Sequence, residues 1–189
     1  MKDNYNAVLA RIMDAMNDGT QWVKPWTGTP ATSNTPRGTC IDDALTAYYD
    51  NEKIECINAF GDKSYYSPQE DKIILPLKSQ FVNIGAYNAV KAHETIHSSG
   101  DYTRCNREVF NEFKSFQFGD GRYSREELTA EIGACFLLSA LGLDTSFAVK
   151  NAAAYLRDWL KRLNNNTRWI YKAASFAQEA VEYILENNV

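Results

Sequence analysis

The sequence predicts an α+β fold, with a small, mostly antiparallel sheet, one central helix and a group of C-terminal helices. Three observations predict it. Short stretches of strand character at 53–58, 64–67 and 72–75 are separated by turn residues. Apolar residues recur at helical spacing on both sides of that block. The chain has 189 residues, enough for one ordinary hydrophobic core without staples.

Each element has its own signal. Val8, Leu9, Ile12 and Met16 space a helix over 5–16, and Gly19 ends it. The stretch from Gln21 to Cys40 is rich in Thr, Pro, Gly and Ser and reads as a linker, with Trp22 and Trp26 as anchors. Residues 1–39 are therefore expected to form an N-terminal helix and linker arm, and 40–189 the main domain. Asp42 and Asp43 favour the start of a helix over 41–49. Three strands follow, the last two divided by the turn sequence PQED. Pro76 should end the third strand or put it at a sheet edge. Helical periodicity returns over 87–98, with Gly100 as the stop. A strongly apolar helix is expected at 124–141, and two more at 146–163 and 168–186, with NNNT turning between them.

Composition excludes several functions. Twenty basic against 24 acidic residues give a net charge of -4, so a broad basic face for duplex DNA is not expected. Cys40, Cys56, Cys105 and Cys135 form no CxxC pair, which fits a reducing compartment better than a disulfide framework. No apolar run is long enough to span a membrane. The N-terminal helix contains acids and lacks the layout of a signal peptide. The expected location is the cytoplasm.

Chemistry concentrates at His93-Glu94-Thr95-Ile96-His97, an HExxH motif. Positions i and i+4 share one helix face, so two imidazoles there can grip one metal ion. Glu94 lies beside them as general base. Zinc lowers the pKa of a bound water to about 7 and polarises a carbonyl, which is the chemistry of peptide hydrolysis. These are the only two histidines in the chain. An accidental HExxH on a surface helix is the competing reading, and the apolar positions Ala86, Val90 and Ile96 argue for a helix packed in a core. Two imidazoles and a carboxylate suit Zn2+.

A catalytic zinc usually takes a third protein ligand. Glu127 and Glu131 again stand at i and i+4. They resemble the second-helix pattern of gluzincins. That resemblance makes Glu127 the third ligand and Glu131 the partner that fixes a ligand imidazole's tautomer. Ser124 and Glu127 also match a capping box, in which case Glu131 becomes the ligand. Tyr123, Tyr102 and Arg104 are candidates for the oxyanion donor. Trp22, Lys24 and Trp26, with Arg37, form an aromatic and basic patch of the kind that binds single strands.

The segments YYSPQEDKIILP, YNAVKAHETIHSSG, TRCNR, YSREELTAEIGACFL, AAYLRDWLKRL and ASFAQEAVEYIL follow one another between about residues 65 and 185. In order and spacing they resemble the C-terminal zincin-like domain of the ArdC antirestriction proteins, carried by plasmids and phages. The start, with YNAVLARIMDAMNDGT and WVKPW, resembles the beginning of that family's single-strand DNA-binding domain, most of which is missing here. Where the family commonly has a further histidine after HExxH, this chain has Asp101. The resemblance implies a zincin-like metallopeptidase fold with an active-site helix, a metal site and a role in protecting mobile DNA from restriction. It implies peptide hydrolysis more weakly. In such folds an edge strand above the active-site helix pairs with extended substrate, and 72–75 is the expected edge. Expected partners are thus a protein or peptide substrate, single-stranded DNA in a non-proteolytic alternative, and no membrane.

Overall fold

The structure, a computed structural model, describes residues 2–29, 38–108, 121–162 and 167–188. Arg37 of the proposed basic patch lies outside the described residues, as does the side chain of Tyr123. The chain runs through α1 (Lys2–Asn17), α2 (Asp42–Glu52), β1 (Glu55–Ala59), β2 (Tyr65–Ser67), β3 (Lys72–Pro76), a 3-10 turn at Lys78–Gln80, then α3 (Ile84–Ser98). Three long helices follow: α4 (Gly121–Ala140), α5 (Ser146–Arg162) and α6 (Arg168–Glu186).

The fold class is α+β, but the sheet differs from expectation. Its order is β1-β3-β2, so β3 lies in the centre and not at an edge. β3 pairs parallel with β1, from Glu55 opposite Lys72 to Ala59 opposite Pro76. It pairs antiparallel with β2 over only three positions. The sheet is therefore mixed, and its longer ladder is parallel. After β1 the chain crosses to the far side before the 68–71 turn brings β3 back between its predecessors. The run Ile73-Ile74-Leu75, with Ile73 and Leu75 fully buried on one face and Ile74 half-buried on the other, belongs to a strand with a neighbour on each side. Pro76 is tolerated there because it is the last residue of the strand.

α3 packs on β2 and β3 with one side and on α4 with the other. α4 is the hub: it also meets α1, α5 and α6. Eight of its residues from Leu128 to Leu138 are buried and apolar, covering nearly its whole circumference. α1 places Tyr5, Val8 and Ile12 in the same core, and Tyr5 stacks on Phe136 at 4.8 Å. The segment after α1 is tied down. Asn151 of α5 grips the backbone of Val23 by N–H (3.0 Å) and by C=O (2.9 Å), and Thr27 N–H donates to the Gln80 carbonyl. Trp26 is anchored edge-on against Phe81, whereas Trp22 is 54% exposed. The four cysteines are free thiols. Among the described residues, no helix is long and apolar enough to cross a membrane.

Candidate metal centre

α3 begins three residues earlier than its periodicity suggests, because the Asn83 side chain accepts a hydrogen bond from Ala86 N–H at 2.8 Å and caps it. The helix then carries His93 and His97 on one face, with their Nε2 atoms 3.0 Å apart. From α4, one Glu127 oxygen lies 3.4 Å from His97 Nε2 and the other 3.7 Å from His93 Nε2. The Tyr155 hydroxyl of α5 donates to Glu127 at 3.3 Å. Glu94 supplies an oxygen within 4.8 Å of ring nitrogens of both histidines.

This donor set fits a divalent cation. An ion held tetrahedrally at about 2.0–2.1 Å spaces its donors about 3.3–3.4 Å apart. The spacings of 3.0, 3.4 and 3.7 Å bracket that value. Two ring nitrogens and a carboxylate facing one point need positive charge between them, a proton on His97 in the ion-free protein or a metal ion in its place. The surroundings add to the demand: Glu94, Glu126 and Glu127 are all over 90% buried, and Glu131 is nearly so.

The capping-box alternative for Glu127 does not arise. α4 starts at Gly121, so Ser124 lies inside the first turn and not before it. Glu131 stands beside His93, but its oxygen is 3.7 Å from Nδ1, beyond hydrogen-bonding reach. The sequence reading missed the closer partner, Glu126, whose oxygen is 3.2 Å from His97 Nδ1. Arg107 grips Glu126 through Nε (2.8 Å) and Nη2 (2.7 Å) and is itself buried. The adjacent acids Glu126-Glu127 and the basic TRCNR segment were the available signals.

Two of the oxyanion candidates fall elsewhere, and the side chain of the third, Tyr123, lies outside the described residues. Arg104 is held by Glu52, Asp71 and the Ser98 carbonyl, away from the histidines. Tyr102 is 66% exposed on the turn after α3. Asp101 uses its carboxylate to accept from Thr103 N–H and hydroxyl, closing that turn. Among the described residues, the fold brings the Tyr155 hydroxyl to Glu127.

Electrostatics separates the groups. Burial, then the charge of His97, pushes His93 down to about 4. Burial opposes protonation of His97 too, but hydrogen bonds to Glu126 and Glu127 outweigh it and raise it to about 10. Burial raises Glu94 to about 7, against a hydrogen bond from the Ser64 hydroxyl and another from the Tyr66 backbone N–H. Burial and the neighbouring Glu127 raise Glu131 to about 8.

These groups line a cleft of about 880 Å³. Its walls are the edge strand side at 64–69, the arm at Trp22, Pro25 and Trp26, and α5 residues from Phe147 to Asp158. An HExxH helix facing a carboxylate helix beneath a short strand edge defines a domain of the metallopeptidase type. The chain belongs to the zincin-like metallopeptidase family, whose profile, MPTase-PolyVal, matches residues 43–176. Among solved structures it is similar to the antirestriction ArdC protein of plasmid R388 in its Mn(II)-bound form. The two share 33% identity with a TM-score of 0.61, over 85% of this chain and 57% of that one. The metal-free form of ArdC aligns at 34% identity and 0.59, over 81% and 53%. A DNA primase TraC of Escherichia coli is 32% identical over 128 residues, which is 68% of this chain but 8% of TraC. An uncharacterized protein, y4eC, of Sinorhizobium fredii (strain NBRC 101917 / NGR234) is 33% identical over 124 residues, 66% of this chain and 38% of its own length. The chain thus spans well under half of these curated relatives.

Proposed function

We propose that the domain is a metal-dependent peptidase that cuts an extended peptide, with zinc as its ion and antirestriction or evasion of host defence as its setting. The convergence of His93, His97 and Glu127 on one point, with Glu94 beside it, carries this reading. A zinc ion there would supply a water of lowered pKa and a polarised carbonyl. Glu94, beside that point, would take a proton from such a water at its carboxylate oxygen and give it to the leaving amine nitrogen. The Tyr155 hydroxyl, which donates to Glu127, would turn to donate toward the substrate's carbonyl oxygen instead. β2, not β3, is the edge against which an extended peptide would lie, since residues 64–69 line the cleft.

The test pairs metal analysis with a peptide-library cleavage assay. Glu94→Gln should retain zinc and lose about 10²–10⁴ of the cleavage rate. Equal cleavage by that variant would remove Glu94 as the base. A wild type that binds no zinc would end the reading.

A second reading, a non-proteolytic module that touches single-stranded DNA, draws on the exposure of Trp22, which lines the cleft, and of Lys24, and on the primase and antirestriction names of the relatives. Against it, the described residues that line the cleft include five carboxyl groups, those of Glu94, Glu126, Glu127, Glu131 and Asp158, and no lysine or arginine to meet phosphates. A salt-dependent shift with single-stranded DNA that is lost in the Trp22→Ala, Trp26→Ala double variant would favour it. No shift at low salt would dismiss it.

A further inference from the structure

We infer that Glu126, clamped by Arg107, is the positioning residue that aims His97 at the metal point, and that Glu131 has no equal role at His93. The inference rests on the metal-site reading above and adds an asymmetry to it.

The geometry carries it. Glu126 Oε1 lies 3.2 Å from His97 Nδ1, on the side of the ring opposite the nitrogen that faces His93 and Glu127. A carboxylate there holds a proton on Nδ1, which leaves the Nε2 lone pair for an ion. Glu126 cannot swing away. Its two oxygens take Arg107 Nε and Nη2 at 2.8 and 2.7 Å in a bidentate fork. Arg107 is fixed in turn by the Ile96 carbonyl at 2.6 Å and the Ser99 hydroxyl at 3.0 Å. Both anchors flank His97 along the chain, so the arginine ties Glu126 to the same turn of α3 that carries the imidazole. Side-chain exposure is 6% for each member of the Arg107–Glu126 pair, so solvent does little to loosen it. His93 lacks this arrangement: Glu131 is 3.7 Å from its Nδ1, too far to fix the ring.

The consequence is a ranking that a symmetrical pair of histidine partners would not give. Zinc affinity, measured by competition with a chromophoric chelator, should fall about 10–100-fold in Glu126→Gln. It should change less than about threefold in Glu131→Gln, on the same principle that an unbonded outer group does not orient a ligand. In zinc-loaded wild type, nitrogen-15 histidine spectra should show a persistent Nδ1–H on His97, lost to exchange in Glu126→Gln and retained in Glu131→Gln. With two histidines in the chain, two ring systems suffice for assignment. Equal affinity in Glu126→Gln and wild type, or a larger loss in Glu131→Gln, overturns the inference. If Glu126→Gln fails to fold, a His97 Nδ1–H that is absent from the wild type overturns it without any variant. Failure of wild type to bind zinc would instead strike the metal-site reading itself.

Discussion

Gly133 sets the distance between the two helices that build the metal centre, and Gly133→Ala measures how tightly that distance is held. A methyl at this position of α4 would sit 2.9 Å from Cγ1, Cγ2 and Cδ1 of Ile96 on α3. Carbon atoms prefer about 3.5–4.0 Å, so the contact must open by roughly 0.6 Å or more. Ile96 has no easy escape. It is fully buried, lies between the two histidines, and is β-branched, so a χ1 rotation only exchanges one γ carbon for the other. α3 cannot slide freely away either, because its far side packs on β2 and β3. Overpacking of this kind costs about 1–3 kcal/mol. Removing a helical glycine returns about 1 kcal/mol through helix propensity. The net expectation is a loss of roughly 0–2 kcal/mol in the metal-free protein, or at most about 8 °C in Tm at this chain length. A displacement of half an ångström also exceeds what a metal site tolerates, so zinc affinity should fall about tenfold or more. Urea unfolding without metal and a chelator-competition titration read the two effects separately. Adding Ile96→Val removes Cδ1 and should restore part of both losses, as a double-mutant cycle would register. If Gly133→Ala is as stable as the parent and binds zinc equally well, the close approach of α3 and α4 does not position the site.

Other perturbations probe the scaffold. Arg104→Met removes the cation shared by Glu52 and Asp71, leaving them the Tyr183 and Tyr66 hydroxyls, and should cost about 1–3 kcal/mol in urea unfolding; an unchanged midpoint would make the cluster energetically idle. Burial opposes ionisation of Asp42, but hydrogen bonds from Lys78, Lys91 and Tyr87 outweigh it and hold its carboxyl well below the usual range. Its stabilisation is thus present above about pH 4 and is lost as pH falls toward the folded-state value. The stability gap between wild type and Asp42→Asn should accordingly shrink in acid, and a gap that widens below pH 4 would contradict the assignment. Asn151→Ala removes both bonds to Val23 and should cost about 1–2 kcal/mol while speeding proteolysis within residues 20–29; unaltered cleavage would mean that other contacts hold the arm.

Much of the fold was legible because its signals are local. The helix over Arg168–Glu186 ends where the periodicity ends, and HETIH falls on one helix whatever surrounds it. The sheet was not legible in the same way. Strand order depends on which side of β3 the chain returns to after β1, and no residue between 60 and 64 encodes that choice by itself. The apolar run Ile73-Ile74-Leu75 did hold a hint of a central strand, which the edge signal of Pro76 masked. The Pro and Gly content of the arm signals a linker, yet contacts from far along the chain tie it down, among them Asn151, 128 positions from Val23.

The acids around the histidines show the same division at atomic scale. Pairing Glu127 with Glu131 followed from the rule that i and i+4 share a helix face. That rule finds two groups that look in one direction. An imidazole, however, offers nitrogens on two sides, and a ring that enters between neighbouring residues of a facing helix can take one acid at each. His97 does this, with Glu127 at Nε2 and Glu126 at Nδ1, so the relevant spacing is i and i+1. Arg107 reaches the pair only because the chain turns back after Gly100, with its backbone N–H bonded to the Gly100 carbonyl at 3.0 Å. Helical periodicity cannot reveal a group delivered by a returning loop. The pattern HExxH therefore specifies the two imidazoles of the proposed site, whereas the aim we infer for His97 depends on a buried ion pair that only the tertiary fold assembles.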